Sequence, residues 1–270
     1  MGRRAGVLGR PITHSLSPVL HRAAYADLGL DWTYDAVDCG VDELPAVLAD
    51  RTDWAGFSAT MPLKHAVLEV ATAISPVAAA VGAANTLLPG ADGWRADNTD
   101  VAGIVAALAE HAVAPDSVTI LGAGGTAQAV LAALLAFGID ECTVLVRDRS
   151  RTSRVLDTAE RLGITVRAGQ LDGGATALGA GLVVSTLPAG AADPFAKRAW
   201  SRGQAVLDVV YAPWPTPLAA RAASAGAKVV SGALMLLHQA AVQVTLMTGE
   251  EAPTDAMRFA LAAAVPGAGV

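Results

Sequence analysis

The sequence predicts an α/β fold of two domains, and three observations carry that prediction. Short β-like apolar runs alternate with longer helical stretches along the whole chain. The composition shifts after Asp100, where a first part rich in polar motifs gives way to a second, more regular strand–helix series. The 270 residues, 53% of them hydrophobic, are enough to fill two modest cores and too apolar for a disordered chain.

The elements follow in order. Residues 6–9 read as a strand, and Ser17 as N-cap with Pro18 behind it opens a helix. A strand over 33–37, a short helix from Asp42 and a strand over 56–60 come next. Pro62 closes that strand, and the following helix is expected to carry Lys64 near its N-terminus. Residues 84–88 are strand-like, a glycine turn at 90–93 leads into 94–96, and 101–111 read as a helix. Beyond a clean strand at 118–121, further strands are expected near 142–146, 164–167, 182–185 and 205–209. A long helix near 233–248 and a last one from Thr254 complete the chain. The expected organisation is a domain over 1–101, a second over 102–232, a cleft between them, and helices of 233–270 packing back on the first.

Composition excludes several classes. A net charge of −6 without a basic stripe argues against nucleic-acid binding. No apolar run approaches the length of a membrane span, and the start, MGRRAGVLGRP, lacks the apolar core of a signal peptide, so a cytoplasmic protein is expected. The two cysteines, Cys39 and Cys142, lie far apart, without ligand partners at short spacing. Neither a metal nor a disulfide is expected, and Cys142 reads as a buried thiol. Nothing in the sequence decides the oligomeric state, and a homodimer stays open.

The first chemical motif is the strand Val118-Thr119-Ile120-Leu121 running into Gly122-Ala123-Gly124-Gly125-Thr126-Ala127. Gly122 permits a tight turn, Gly124 lets backbone N–H groups approach a pyrophosphate, and Ala127 is small enough for helix–strand packing. The helix N-terminus adds free N–H groups and partial positive charge. A bound dinucleotide is therefore expected. The next strand ends in Arg147, Asp148, Arg149, Ser150 and Arg151, at the position that reaches the adenine ribose. Three arginines suit a 2′-phosphate and favour NADP, whereas Asp148 taken alone would suit the hydroxyl of NAD.

Lysine is scarce, at 64, 197 and 228 alone, while arginine is the usual cation, so each lysine invites a chemical reading. Polar motifs surround the first of them: Gly9-Arg10-Pro11-Ile12-Thr13-His14-Ser15-Leu16-Ser17-Pro18, Thr60-Met61-Pro62-Leu63-Lys64, Ala84-Asn85-Thr86 and Asn98-Thr99-Asp100. Each falls at or just beyond a strand's C-terminal end, where open α/β sheets bind ligands. Downstream lie Asp208-Val209-Val210-Tyr211, Thr216-Pro217-Leu218 and a run from Gly232 through Met235-Leu236-Leu237-His238-Gln239.

Together these motifs resemble, in order and over nearly the whole chain, those of the shikimate dehydrogenase family. The resemblance implies a Rossmann-type NADP-binding domain, a substrate domain, and reversible NADPH-dependent reduction of 3-dehydroshikimate to shikimate in aromatic amino-acid biosynthesis. It implies that Ser15 and Ser17 hold the substrate carboxylate, and that Thr60, Asn85, Asp100 and Gln239 bond the ring hydroxyls. Tyr211 and Met235 match positions beside nicotinamide and substrate, and Val209 and Gly232 match backbone contacts to the cofactor. Lys64 and Asp100 would flank the reacting oxygen: an ammonium stabilises the developing alkoxide and delivers a proton, and the carboxylate holds it in place.

The chain departs from the family in three places. Ser58-Ala59 replaces Asn-Val before Thr60, Val146 replaces an asparagine before Arg147, and Gln128 replaces an arginine of the glycine helix. The last two bear on cofactor preference. A quinate/shikimate or amino-shikimate dehydrogenase using NAD stays open as an alternative, as does a non-catalytic dinucleotide sensor.

Overall fold

The computed structural model describes residues 2–51, 53–171 and 177–270. They form two compact units, Met1–Gly103 with Leu236–Ala264, and Ile104–Met235 with Val265–Val270.

The first unit runs β1 (Arg4–Gly9), α1 (Ser17–Asp27), β2 (Thr33–Asp38), α2 (Leu44–Ala49), β3 (Gly56–Ala59), α3 (Ala66–Val70), β4 (Ala73–Ile74), α4 (Pro76–Val81), β5 (Thr86–Gly90) and β6 (Gly93–Asp97), then enters α5 (Asp100–Glu110). Its strands order β2-β1-β3-β5-β6-β4. The pairs β1–β2, β1–β3 and β4–β6 are parallel, whereas β5 is antiparallel to both β3 and β6, so the sheet is mixed. Gly56 to Ala59 are buried throughout, as a strand covered on both faces requires. Phe57 stacks on Trp54 with ring centroids 4.9 Å apart and meets Trp94 at 5.3 Å, among Leu8, Leu63 and Leu87. Each such buried side chain contributes about 1.5–3 kcal/mol.

The second unit contains β7 (Val118–Leu121), α6 (Gly125–Leu134), β8 (Glu141–Val146), α7 (Ser153–Leu162), β9 (Thr165–Gln170), β10 (Leu182–Ser185), β11 (Ala205–Asp208), α8 (Pro217–Ser224) and β12 (Lys228–Ser231). All pairings are parallel, in the order β12-β11-β10-β7-β8-β9. The runs VTIL, LVVS and AVLD of β7, β10 and β11 are wholly buried, while β9 and β12 at the edges are partly exposed. Its core joins Leu121, Leu145, Val183, Val206 and Leu218. The chain returns through α9 (Gly232–Thr248) to α10 (Thr254–Ala264), which packs on α1. Among the described residues no helix is long and apolar enough to cross a membrane.

Two local expectations are corrected, and one helix is added. Leu16, not Ser17, is the N-cap of α1, without a side-chain bond; Ser17 is already helical and buried, and its N–H donates to Ser15 Oγ at 3.3 Å. Lys64 precedes α3 instead of lying in it. Leu63 N donates to Thr60 O (2.7 Å) to close a turn, and the Lys64 carbonyl accepts from Ala84 N (2.7 Å), a pairing outside any helix. The helix α4 was not expected from the sequence, although its signals are present: Ser75 Oγ caps Ala78 N, Pro76 follows, and Gly82 ends the helix at φ 72°.

Candidate active site

In the first unit the ends of four segments converge. The Lys64 carbonyl is tied to Ala84 N, and Asn85 N donates to Asp97 O at 3.1 Å, so the turn after β3, the start of β5 and the end of β6 are linked by backbone. Asp100 opens α5 just beyond. This brings Lys64 Nζ within 2.5 Å of Asp100 Oδ2, with side-chain exposures of 18% and 5%. Such a pair differs from a surface ion pair: removing the ammonium would leave a nearly buried carboxylate uncompensated. Asn85 Nδ2 donates to Asp100 Oδ1 (2.8 Å), Thr99 Oγ1 (2.9 Å) and Gln239 Oε1 (3.0 Å), with Gln239 supplied by α9. Lys64, Asn85, Asp100 and Gln239 thus form one hydrogen-bonded cluster. Asp97, the nearest competing carboxylate, is occupied elsewhere, accepting from Ser75 Oγ (2.7 Å) and Asn98 N (2.8 Å). Thr60 and Ser15 are half-buried and Ser17 is buried.

The other expected residues, Gly122 to Ala127, Arg147, Arg149, Arg151, Val209, Tyr211, Gly232 and Met235, belong to the second unit. Gly122 follows β7 with φ 107°, and a Cβ there would sit 2.5 Å from Thr186 Oγ1 after β10. The glycine turn therefore lies where the strand order reverses, between β7 and β10, the position at which doubly wound sheets bind ligands. Gly124 is the N-cap of α6, and a Cβ on it would meet nothing within 4 Å, which leaves the first turn of α6 open to a phosphate. At Gly232 a Cβ would overlap the Val209 backbone, so only glycine lets α9 start against the end of β11.

Arg147, Arg149 and Arg151 are exposed after β8, and Asp148 Oδ1 accepts from Ser150 N at 2.9 Å as the N-cap of the 3₁₀ turn Arg149–Thr152. The Ser150 side chain, together with that backbone bond, holds the Asp148 carboxyl below its ordinary range, and the bond gives the residue a structural role. Gln128 is buried and donates to Thr158 Oγ1 of α7 at 2.9 Å. Buried Asp208 accepts from Thr216 Oγ1 (2.8 Å) and Val210 N (3.2 Å), bracing the loop that carries Tyr211. Burial raises its carboxyl above the usual range. Among the described residues no group of three or more His, Cys, Asp or Glu could hold a metal ion.

Read from β9 to β12, the second sheet runs 3-2-1-4-5-6, which with the glycine turn at its switch point places the chain in the class of α/β dinucleotide-binding oxidoreductases. Residues 7–87 match the family described as shikimate dehydrogenase substrate binding domain, and residues 232–261 match the shikimate 5′-dehydrogenase C-terminal domain. A shikimate dehydrogenase (NADP(+)) of Anaeromyxobacter sp. strain Fw109-5 is 38% identical over 97% of both chains. The crystal structure of Mycobacterium tuberculosis shikimate dehydrogenase superposes with a TM-score of 0.87 at 45% identity, covering 97% of this chain and 99% of the other. Shikimate 5-dehydrogenase from Thermus thermophilus, in complex with NADP(H) and shikimate, gives 0.85 at 32% identity, with 97% and 99% covered. The chain belongs to the shikimate dehydrogenase family.

Proposed function

We propose that the chain catalyses reversible reduction of 3-dehydroshikimate to shikimate with NADPH, through Lys64 and Asp100. The observation that carries the reading is the half-buried Lys64–Asp100 pair, fixed on one side by backbone and on the other by Asn85. A dinucleotide sensor needs no such pair. NADPH, when bound, would supply the hydride for the carbonyl carbon, and NADP+ would take it back in oxidation. The Lys64 ammonium donates to the carbonyl oxygen, stabilises the negative charge that develops there and hands it a proton; in the reverse direction the same nitrogen receives that proton. Asp100 holds the ammonium through Oδ2 and is itself held by Asn85 through Oδ1.

Ser15 and Ser17, at the start of α1, would bind the substrate carboxylate, and Thr60, Asn85 and Gln239 its polar ring groups. Such a donor set rejects analogues lacking a hydroxyl, because a buried partner is then left unpaired. In the second unit the turn from Gly122 to Ala127 would cradle the pyrophosphate, with Val209, Gly232 and Met235 beside the nicotinamide half. Arg147, with Arg149 and Arg151, would hold the 2′-phosphate.

Initial rates with shikimate and with quinate, each with NADP and with NAD, test this reading. The highest kcat/KM is expected for shikimate with NADP. Absence of turnover in every combination would refute an enzymatic role, and quinate with NAD as the best pair would refute the substrate and cofactor assignment. Arg147→Ala should raise the KM for NADP by about tenfold or more and that for NAD by less than about twofold. Equal effects on the two would remove Arg147 from the phosphate.

A further inference from the structure

The hydrogen bonds behind Asp100 continue into the core of the first unit, and two backbone groups fix their direction. Thr99 N–H, which only donates, lies 2.8 Å from the Asn85 side chain, so the atom it meets is Oδ1 and Nδ2 faces Asp100. The Asn85 carbonyl, which only accepts, lies 3.0 Å from the Gln243 side chain, so that atom is Nε2. Gln243 Nε2 also donates to Thr86 Oγ1 at 2.9 Å, and the Thr86 hydroxyl then donates to Asn85 Oδ1 at 2.9 Å. On its far side Gln243 Oε1 accepts from Ser58 Oγ (2.7 Å), which meets Tyr34 Oη at 2.5 Å, and faces His21 Nε2 at 3.4 Å. Asn85, Thr86 and Gln243 are each at most 2% exposed, so water cannot replace these bonds.

We propose that Gln243 is a positioning residue for the reaction: through Thr86 it locks the Asn85 amide with its N–H toward Asp100. The inference rests on the assignment of the chemistry to Lys64 and Asp100. Were the amide to turn over, Oδ1 would face the Asp100 carboxylate, two acceptors in contact, and Asp100 would lose the bond that holds the ammonium's anchor in place. Ser58 stands where the family carries asparagine, and it supplies the hydroxyl that closes the network on the core side. The orienting segment begins at Gln243 and runs toward Asn85; Tyr34 and Ser58 lie beyond it, on the core side.

The test compares Gln243→Met, similar in length but unable to make these bonds, with Thr86→Val, which cuts the same link one bond nearer Asn85, and Tyr34→Phe, which removes a hydroxyl beyond it. Shikimate oxidation by NADP and Tm are measured for each, with Lys64→Ala in parallel. Gln243→Met and Thr86→Val should lower kcat by about ten- to a hundredfold, raise the shikimate KM less, and leave the NADP KM unchanged. Tyr34→Phe should lower Tm and leave kcat within about twofold. Should Gln243→Met fail to fold, Thr86→Val carries the same expectation. Inactive Lys64→Ala beside Gln243→Met or Thr86→Val of normal kcat overturns the inference, as does a kcat loss in Tyr34→Phe equal to theirs. Normal turnover by Lys64→Ala instead overturns the reading on which the inference rests.

Discussion

Lys64→Ala should lower kcat for shikimate oxidation by about a thousandfold while its KM changes by less than about threefold. The ammonium is the positive group in the cluster of Lys64, Asn85, Asp100 and Gln239, and the carboxylate beside it cannot donate while ionised. The residues proposed to anchor the substrate, Ser15, Ser17 and Gln239, are untouched by the change, so the loss belongs in the chemical step. Truncation also leaves Asp100, 5% exposed at its side chain, without its counter-charge, and a fall in Tm is expected beside the fall in rate. The check is steady-state kinetics at a temperature where circular dichroism shows the variant folded. A folded variant with kcat near that of the unaltered chain would remove Lys64 from the chemistry.

Lowering the pH below about 6.5 should destabilise the first unit through His21. Its ring is fully buried, stacked on Tyr34 with centroids 4.0 Å apart and edge-on to Tyr25 at 5.9 Å. Tyr25 Oη lies 3.3 Å from Nδ1, and Gln243 Oε1 lies 3.4 Å from Nε2. Burial pushes the imidazole from 6.5 down to about 3. The unfolded chain therefore binds a proton in this window that the folded chain does not, so stability is complete above 6.5 and falls as pH drops toward 3. The slope is about 1.4 kcal/mol per pH unit, or about 2 kcal/mol by pH 5. Urea unfolding of the unaltered chain and His21→Asn across pH 4.5–7.5 isolates the effect, since the carboxylates are common to both. The variant, though less stable at pH 7, should show a shallower acid slope by about one proton; parallel slopes would mean that His21 accepts its proton in the folded state.

Much of the hydrogen-bonded cluster is legible in the sequence because its residues sit in short motifs at strand ends: Lys64, Asn85 and Asp100 need only their own β-strand to be placed near a sheet edge. The turn after β7 is legible for the same reason, as strand, glycines and helix follow within ten residues. The network behind the cluster is not. His21, Ser58 and Gln243 are 185 and 222 positions apart in their pairings, and a polar residue inside an apolar helix reads as exposed until its partners are known. One signal was available: Gln243 stands four residues after Gln239, on the same face of α9. The mixed sheet of the first unit was equally hidden, since β5 and β6 carry ordinary apolar patterns and only their register shows that β5 runs against β3. Ser17 misled for a different reason. As a hydroxyl before Pro18 it looks like a cap, but the turn at 12–15, closed by Ser15 N to Ile12 O at 3.0 Å, starts the helix one residue early.

The central claim is that Lys64 and Asp100 act as one unit on one oxygen, and a double-variant cycle in shikimate oxidation tests it most directly. Lys64→Ala, Asp100→Asn and the double variant are compared by kcat with NADP. Partners in a single proton-transfer device are strongly non-additive, so the double variant should be no slower than the slower single one. If the two losses instead multiply, Lys64 and Asp100 contribute independently, and a shared role for the pair is wrong.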